Sequence, residues 1–206
     1  MNLAKAAVKL IGTVLLAAGV ICSVTAATII YDFDSFDDAT ALTGQYAGLT
    51  FAQSTVIKAG QSLNESAFPP HSADGVVYDD GGPMTVVFST PVFGVGGYFT
   101  YMSGLAVAFY DVSNVLLGAL SGAFTRNFAD GGGDLGSAPN EFLQFASAAG
   151  VISRVTITSD AGGNSVVLDD LTVDYGVTRI PEPSSIALMA GVIAAGLRRR
   201  GWLRRS

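Results

Sequence analysis

The residues of this chain with the most chemical potential are carboxylates. Between Thr28 and Ile180 there are sixteen acids and only four cations (Lys58, Arg126, Arg154 and Arg179), a net charge of −12. Asp169 is the most telling of the acids. A strand over Val166–Tyr175 places Val167, Asp169, Leu171, Val173 and Tyr175 on one face, because side chains alternate with period two. Four of these suit a core, so Asp169 is expected to point inward and Asp170, on the other face, to meet water. A buried carboxylate is costly unless something compensates it. Asp169 therefore needs a cation, hydrogen-bond donors or an exposed strand end. If the first strand lies beside the closing one, Asp32 or Asp34 comes near Asp169, and such an oxygen-only set suits a structural calcium ion better than zinc. Backbone N–H donors satisfy the same carboxylate without a metal. The acidic turn Asp130–Asp134 lacks the regular acid spacing of a calcium loop.

Catalytic sets are scarce. His71 is the only histidine, which excludes a multi-histidine metal site and leaves no evident Ser-His-Asp set. It follows Pro69-Pro70 and reads as an exposed loop residue. There is neither a G-x-S-x-G elbow nor a phosphate-binding glycine loop. A glycosidase needs two carboxyl groups across a cleft. The acids here cluster in turn-like segments, which favours solvated turns and a protein that is not an enzyme. Tyr78, Tyr98, Tyr101 and Tyr110 suit either a sugar platform or the core. The acidic surface repels phosphate backbones, which argues against nucleic acid as a partner.

The elements that position these residues are strands. Short apolar bursts at Thr28–Asp34, Gly48–Ala52, Val76–Tyr78, Thr85–Ser89, Gly94–Tyr101, Leu105–Asp111, Val115–Leu120, Glu141–Phe145, Ile152–Ser159 and Val166–Tyr175 are separated by Gly/Asp turns. The pattern predicts an all-β fold, a jelly-roll-like antiparallel β-sandwich, over residues 28–178.

Both ends differ from this middle. Residues 1–27 read as a signal peptide: Lys5 and Lys9, an uncharged run from Leu10 to Ile21, and small residues before Ala27. The partners this implies are the secretion machinery and a signal peptidase. The sole cysteine, Cys22, falls inside this segment, and Ile21 before it does not suit lipoprotein processing. The mature domain then holds neither thiol nor disulfide. At the other end, residues 179–206 contain Pro181-Glu182-Pro183, an uncharged stretch from Ser184 to Leu197, and then Arg198, Arg199 and Arg200. As a helix that stretch spans roughly 21 Å, short against a hydrocarbon core of about 30 Å. The arginines would lie on the cytoplasmic side and extend its reach.

This three-part tail resembles the PEP-CTERM sorting signal, the substrate motif of exosortases in Gram-negative bacteria that make exopolysaccharide. The resemblance implies transient anchoring at the inner membrane, cleavage near the motif, and delivery to the cell surface or extracellular matrix, the setting of a biofilm. The domain also resembles the β-sandwich often carried ahead of this tail, through Phe33-Asp34, Tyr46-Ala-Gly-Leu-Thr-Phe51, Ser153-Arg-Val-Thr-Ile157 and Val167-Leu-Asp-Asp-Leu-Thr-Val173. The last of these is also similar to the closing strand of jelly-roll carbohydrate-binding modules, which implies a structural calcium held by that Asp and the first strand. The leading expectation is a non-enzymatic exported protein of the surface or exopolysaccharide matrix. A calcium-stabilised carbohydrate-binding module is the second reading, and a secreted polysaccharide hydrolase the third.

Overall fold

The structure, a computed structural model, describes residues 24–179. The expected signal helix and C-terminal transmembrane helix lie outside the described residues, as do Pro181, Glu182, Pro183 and Arg198 to Arg200. Twelve strands follow one another: β1 Val24–Tyr31, β2 Thr40–Ala41, β3 Leu49–Ala52, β4 Ser54–Lys58, β5 Gly75–Asp79, β6 Met84–Val92, β7 Gly94–Tyr101, β8 Ala106–Tyr110, β9 Leu116–Ser121, β10 Glu141–Ala146, β11 Ile152–Thr158 and β12 Val166–Arg179. No helix occurs among the described residues. The strands form two sheets, one in the order β10-β7-β12-β5-β4-β2 with β1 also paired to β12, the other in the order β3-β6-β11-β8-β9. The ladders between β2 and β12 are antiparallel.

The expected all-β sandwich is therefore present, and the first and closing strands are neighbours as expected. All ten expected strands appear, with ends shifted by a few residues. β2 and β4 were not expected. β4 is hard to see because a single residue, Gln53 at φ 52°, carries the chain from β3 in one sheet to β4 in the other without any Gly/Asp cluster. β1 also begins at Val24, ahead of the expected mature start.

One hydrophobic cluster lies between the sheets. Val56, Val77, Phe99 and Leu168 from the seven-stranded sheet meet Phe51, Val86, Phe109, Val155 and Ile157 from the other. Burial on this scale, at roughly 25 cal/mol per Å² of apolar surface, is what holds a fold that has no disulfide. The seven-stranded sheet is covered on its outer face as well. The chain between β4 and β5, residues 59–74, crosses that face as a strap. Under it Leu63, Val76 and Val167 make a second small cluster, joined by Ile57, Phe68 and Tyr78. Strands covered on both sides carry near-continuous apolar sequence, and β5 (GVVYD) does so for this reason.

The closing strand departs from its expected pattern. Val166 and Leu168 face the inter-sheet core, and so do Leu171 and Val173, although the two pairs differ in parity. A β-bulge between Asp169 and Thr172, with Asp170 at φ 49°, resets the alternation. Val167 and Asp169 consequently lie on the outer face, beneath the strap, and not with Leu171 and Val173.

Candidate functional site

The bulge in β12 builds the site. An extra residue in a strand needs an unusual backbone conformation, and Asp tolerates the left-handed region better than an apolar residue does. With Asp170 in that conformation, two consecutive carboxylates turn toward the strap. Asp169 is 1% exposed. Its Oδ2 accepts the N–H groups of His71 (2.7 Å) and Ser72 (2.9 Å), and its Oδ1 accepts the N–H of Asp170 (2.7 Å). Burial raises its pKa to about 6, against the lowering effect of the Ser72 N–H bond, and the neighbouring Asp170 charge adds to the rise.

Asp170 does not meet water as expected. It is 9% exposed. Its Oδ2 shares a 2.7 Å hydrogen bond with His71 Nδ1, and its Oδ1 accepts the Ser72 hydroxyl at 2.9 Å. The pair Asp169-Asp170 thus clamps the end of the strap by backbone and side chain together. His71 is the exposed loop residue expected, but it is held in place. Its ring lies on Tyr98 with centroids 3.4 Å apart and planes 10° apart. The Ser72 hydroxyl bonds the carboxylate rather than the imidazole, so this Ser, His and Asp do not form the relay that activates a nucleophile.

The other acids singled out in the sequence have separate tasks. Asp34 Oδ1 accepts the N–H groups of Asp74 (3.1 Å) and Gly75 (2.8 Å), just beyond the residues that Asp169 holds. Asp32, exposed, accepts only the Asp34 N–H at 3.3 Å. Of the acids expected to share a calcium ion, Asp34 and Asp169 converge on one segment, residues 71–75, through its backbone N–H groups, and Asp32 does not. Among the described residues no three His, Cys, Asp or Glu side chains come together to hold a metal. Asp34 and Asp169 are thus both engaged by backbone N–H groups, the alternative to a calcium ion in the sequence. In the Asp130–Asp134 turn, Asp134 accepts the N–H groups of Thr125 (2.8 Å) and Arg126 (3.2 Å).

The four tyrosines separate as well. Tyr101 is fully buried and donates its hydroxyl to Glu141 at 2.6 Å. Tyr110 carries the Arg154 guanidinium over its ring at 3.9 Å, on the other sheet. Tyr78 lines a hollow under the strap. Only Tyr98 belongs to a surface array. It pairs across strands with Phe142 of β10, and their centroids lie 4.9 Å apart with planes tilted by 48°. His71, Tyr98 and Phe142 make a row of three rings across the outer face, ending at the exposed Phe142 on the edge strand. Phe142 is 44% exposed. Gln144 follows Phe142 by two residues, so both point to the same side. Asn140 stands just before the start of β10, and its side-chain amide donates to the Pro69 carbonyl at 3.1 Å. The sequence reading missed His71 and Phe142. A signal for the first was present in Leu168-Asp-Asp-Leu171, since adjacent acids in an apolar strand require donors from elsewhere.

No protein-family model and no curated protein matches the chain. Among solved structures, the K2 cleaved adhesin domain of Lys-gingipain is 13% identical, with 71% of this chain and 99% of that one covered and a TM-score of 0.46. The K1 cleaved adhesin domain of Lys-gingipain from Porphyromonas gingivalis W83 is 13% identical over 71% of this chain and 97% of that one, with a TM-score of 0.41. A family 29 carbohydrate-binding module from Piromyces equi is 9% identical over 74% of this chain and 92% of that one, with a TM-score of 0.40.

Proposed function

We propose that this is a non-catalytic exported protein that binds polysaccharide on the outer face of its seven-stranded sheet, and that its PEP-CTERM-like tail is read by an exosortase. The observation that carries the binding reading is the ring row His71-Tyr98-Phe142, with the amide of Gln144 on the same side. Pyranose rings present apolar C–H faces that pack on aromatic rings, while their hydroxyls seek amides and carboxylates. The row is anchored from beneath by the Asp169-Asp170 clamp, so little side-chain freedom is lost when a ligand settles on it. The excess of acids in the domain favours uncharged polysaccharide over acidic polymers.

Affinity electrophoresis of the purified chain through gels containing neutral or uronic-acid polysaccharides tests this. Retardation by a neutral polymer is expected, and Phe142→Ala should abolish most of it without altering thermal stability much, because Phe142 is half exposed. Retardation that survives both Phe142→Ala and Tyr98→Ala, or none by any neutral polymer, would overturn the site.

A further inference from the structure

Under the strap, away from the ring row, the outer face holds a hollow of about 180 Å³. We propose that it is a binding site for a small, uncharged, single-ring molecule. Its walls are Ile57 of β4, Tyr78 of β5, Val167 of β12 and, from the strap, Leu63 and Phe68. Polar side chains stand at the rim, where Asn64 and Asn164 are both exposed.

The hollow is held open. The Leu63 N–H donates to the Lys58 carbonyl (3.1 Å), the Phe68 N–H to the Asn64 carbonyl (2.8 Å), and the Ala129 N–H to the Ala67 carbonyl (2.8 Å). Phe68 is backed by Phe128, with centroids 6.0 Å apart and planes 15° apart. On the opposite wall Asp79 holds the chain that enters β12, accepting the N–H groups of Ser165 (2.8 Å) and Val166 (3.0 Å). Fixed walls cannot close on one another, so their facing atoms lack partners that a ligand would supply. An apolar cavity of about 150 Å³ lined by such side chains is enough to take benzene. The size therefore admits one ring, and the apolar lining selects against a bare charge.

The sign of charge is selected too. Asp80 lies beside Tyr78 at the edge of the hollow: its Oδ2 accepts the hydroxyl of Thr55 at 2.8 Å, and Thr55 pairs with Tyr78 across the strands. Burial, then the Asp80 charge, raises the pKa of the Tyr78 hydroxyl. A carboxylate-bearing ring would meet that charge while giving up its own hydration. A neutral ring with one hydroxyl or amide group avoids both costs and can reach the rim amides. The site does not depend on the polysaccharide reading, since it shares no residue with the ring row.

The test is a titration of the purified full-length chain, methyl-labelled at Ile, Leu and Val, with phenol and with benzoate. Phenol is expected to shift the methyl signals of Ile57, Leu63 and Val167 along one saturable curve. Benzoate should bind those positions at least about tenfold more weakly. Ile57→Phe, which fills the hollow, should remove the phenol response; should that variant fail to fold, Leu63→Phe fills it from the strap side. Benzoate binding as well as phenol would overturn the ligand class. Absence of a saturable response at these methyls, or shifts scattered over exposed side chains such as Val112, Val115 and Leu135, would overturn the site.

Discussion

Asp169 shows how a single buried carboxylate ties the fold to its surface. It accepts three backbone N–H groups, and two of them belong to the strap. Asp169→Asn keeps the shape but puts a donor where one of those N–H groups points, so a loss of about 1–3 kcal/mol is expected. The pH dependence has a definite sign. The folded pKa is about 6, raised from an ordinary value of 3.8. The folded state therefore holds the proton more tightly than the unfolded chain. The resulting stabilisation is complete below about pH 3.8 and is lost as the pH rises through about 6. Urea denaturation of the native chain and of Asp169→Asn between pH 4 and 7 should show the native chain's advantage growing as the pH falls. An advantage that stays constant, or shrinks toward acid, would contradict this assignment. With Asp34 and Asp169 both engaged by N–H groups, added calcium should leave the melting temperature of metal-free protein unchanged. A rise reversed by chelator would restore the calcium expectation.

The element that matters most is β12, whose bulge switches its alternation in mid-strand. Val166 and Leu168 fill the inter-sheet core before it, and Leu171 and Val173 fill the same core after it. Because the bulge depends on Asp170 at φ 49°, substitutions there separate backbone from side-chain effects. Asp170→Gly keeps the conformation and loses the bonds to His71 and Ser72. Asp170→Val loses the same bonds and also forces a β-branched residue into the left-handed region, at about 1–2 kcal/mol more. Thermal melts should therefore rank native above Gly and Gly above Val. Equal melting temperatures for the two variants would mean that the bulge does not need the left-handed residue. This element also marks where sequence reading failed. Strict alternation from Val167 to Tyr175 put Asp169 in the core and Asp170 in water. The opposite parities of Val166/Leu168 and Leu171/Val173, interrupted by two acids, were the legible sign that one face could not hold throughout.

For the whole molecule, the acidic sandwich stands between two segments of different chemistry, an apolar start with lysines and an apolar end with arginines. The proposed sorting predicts a mature chain from Ala27 or Thr28 to near Pro181–Ser184 when the protein is exported by a host containing an exosortase. Intact-mass measurement decides it, and recovery of chains that still carry Arg198–Arg205 would count against the tail's role. The sequence by itself determined the all-β class, ten of the twelve strands and the adjacency of the first and closing strands. The class and the strands follow from local periodicity and turn chemistry, which are written in neighbouring residues, and the adjacency follows from the jelly-roll-like architecture that they imply. It also singled out Asp169 as a carboxylate needing partners. Only the tertiary structure decided who those partners are. The strap brings His71 and Ser72 to Asp169 and Asp170 from 97 to 99 residues away along the chain. It stacks His71 on Tyr98 and leaves a hollow beside Phe68. Contacts at such separation depend on how a loop crosses a sheet face, and no local pattern encodes that path.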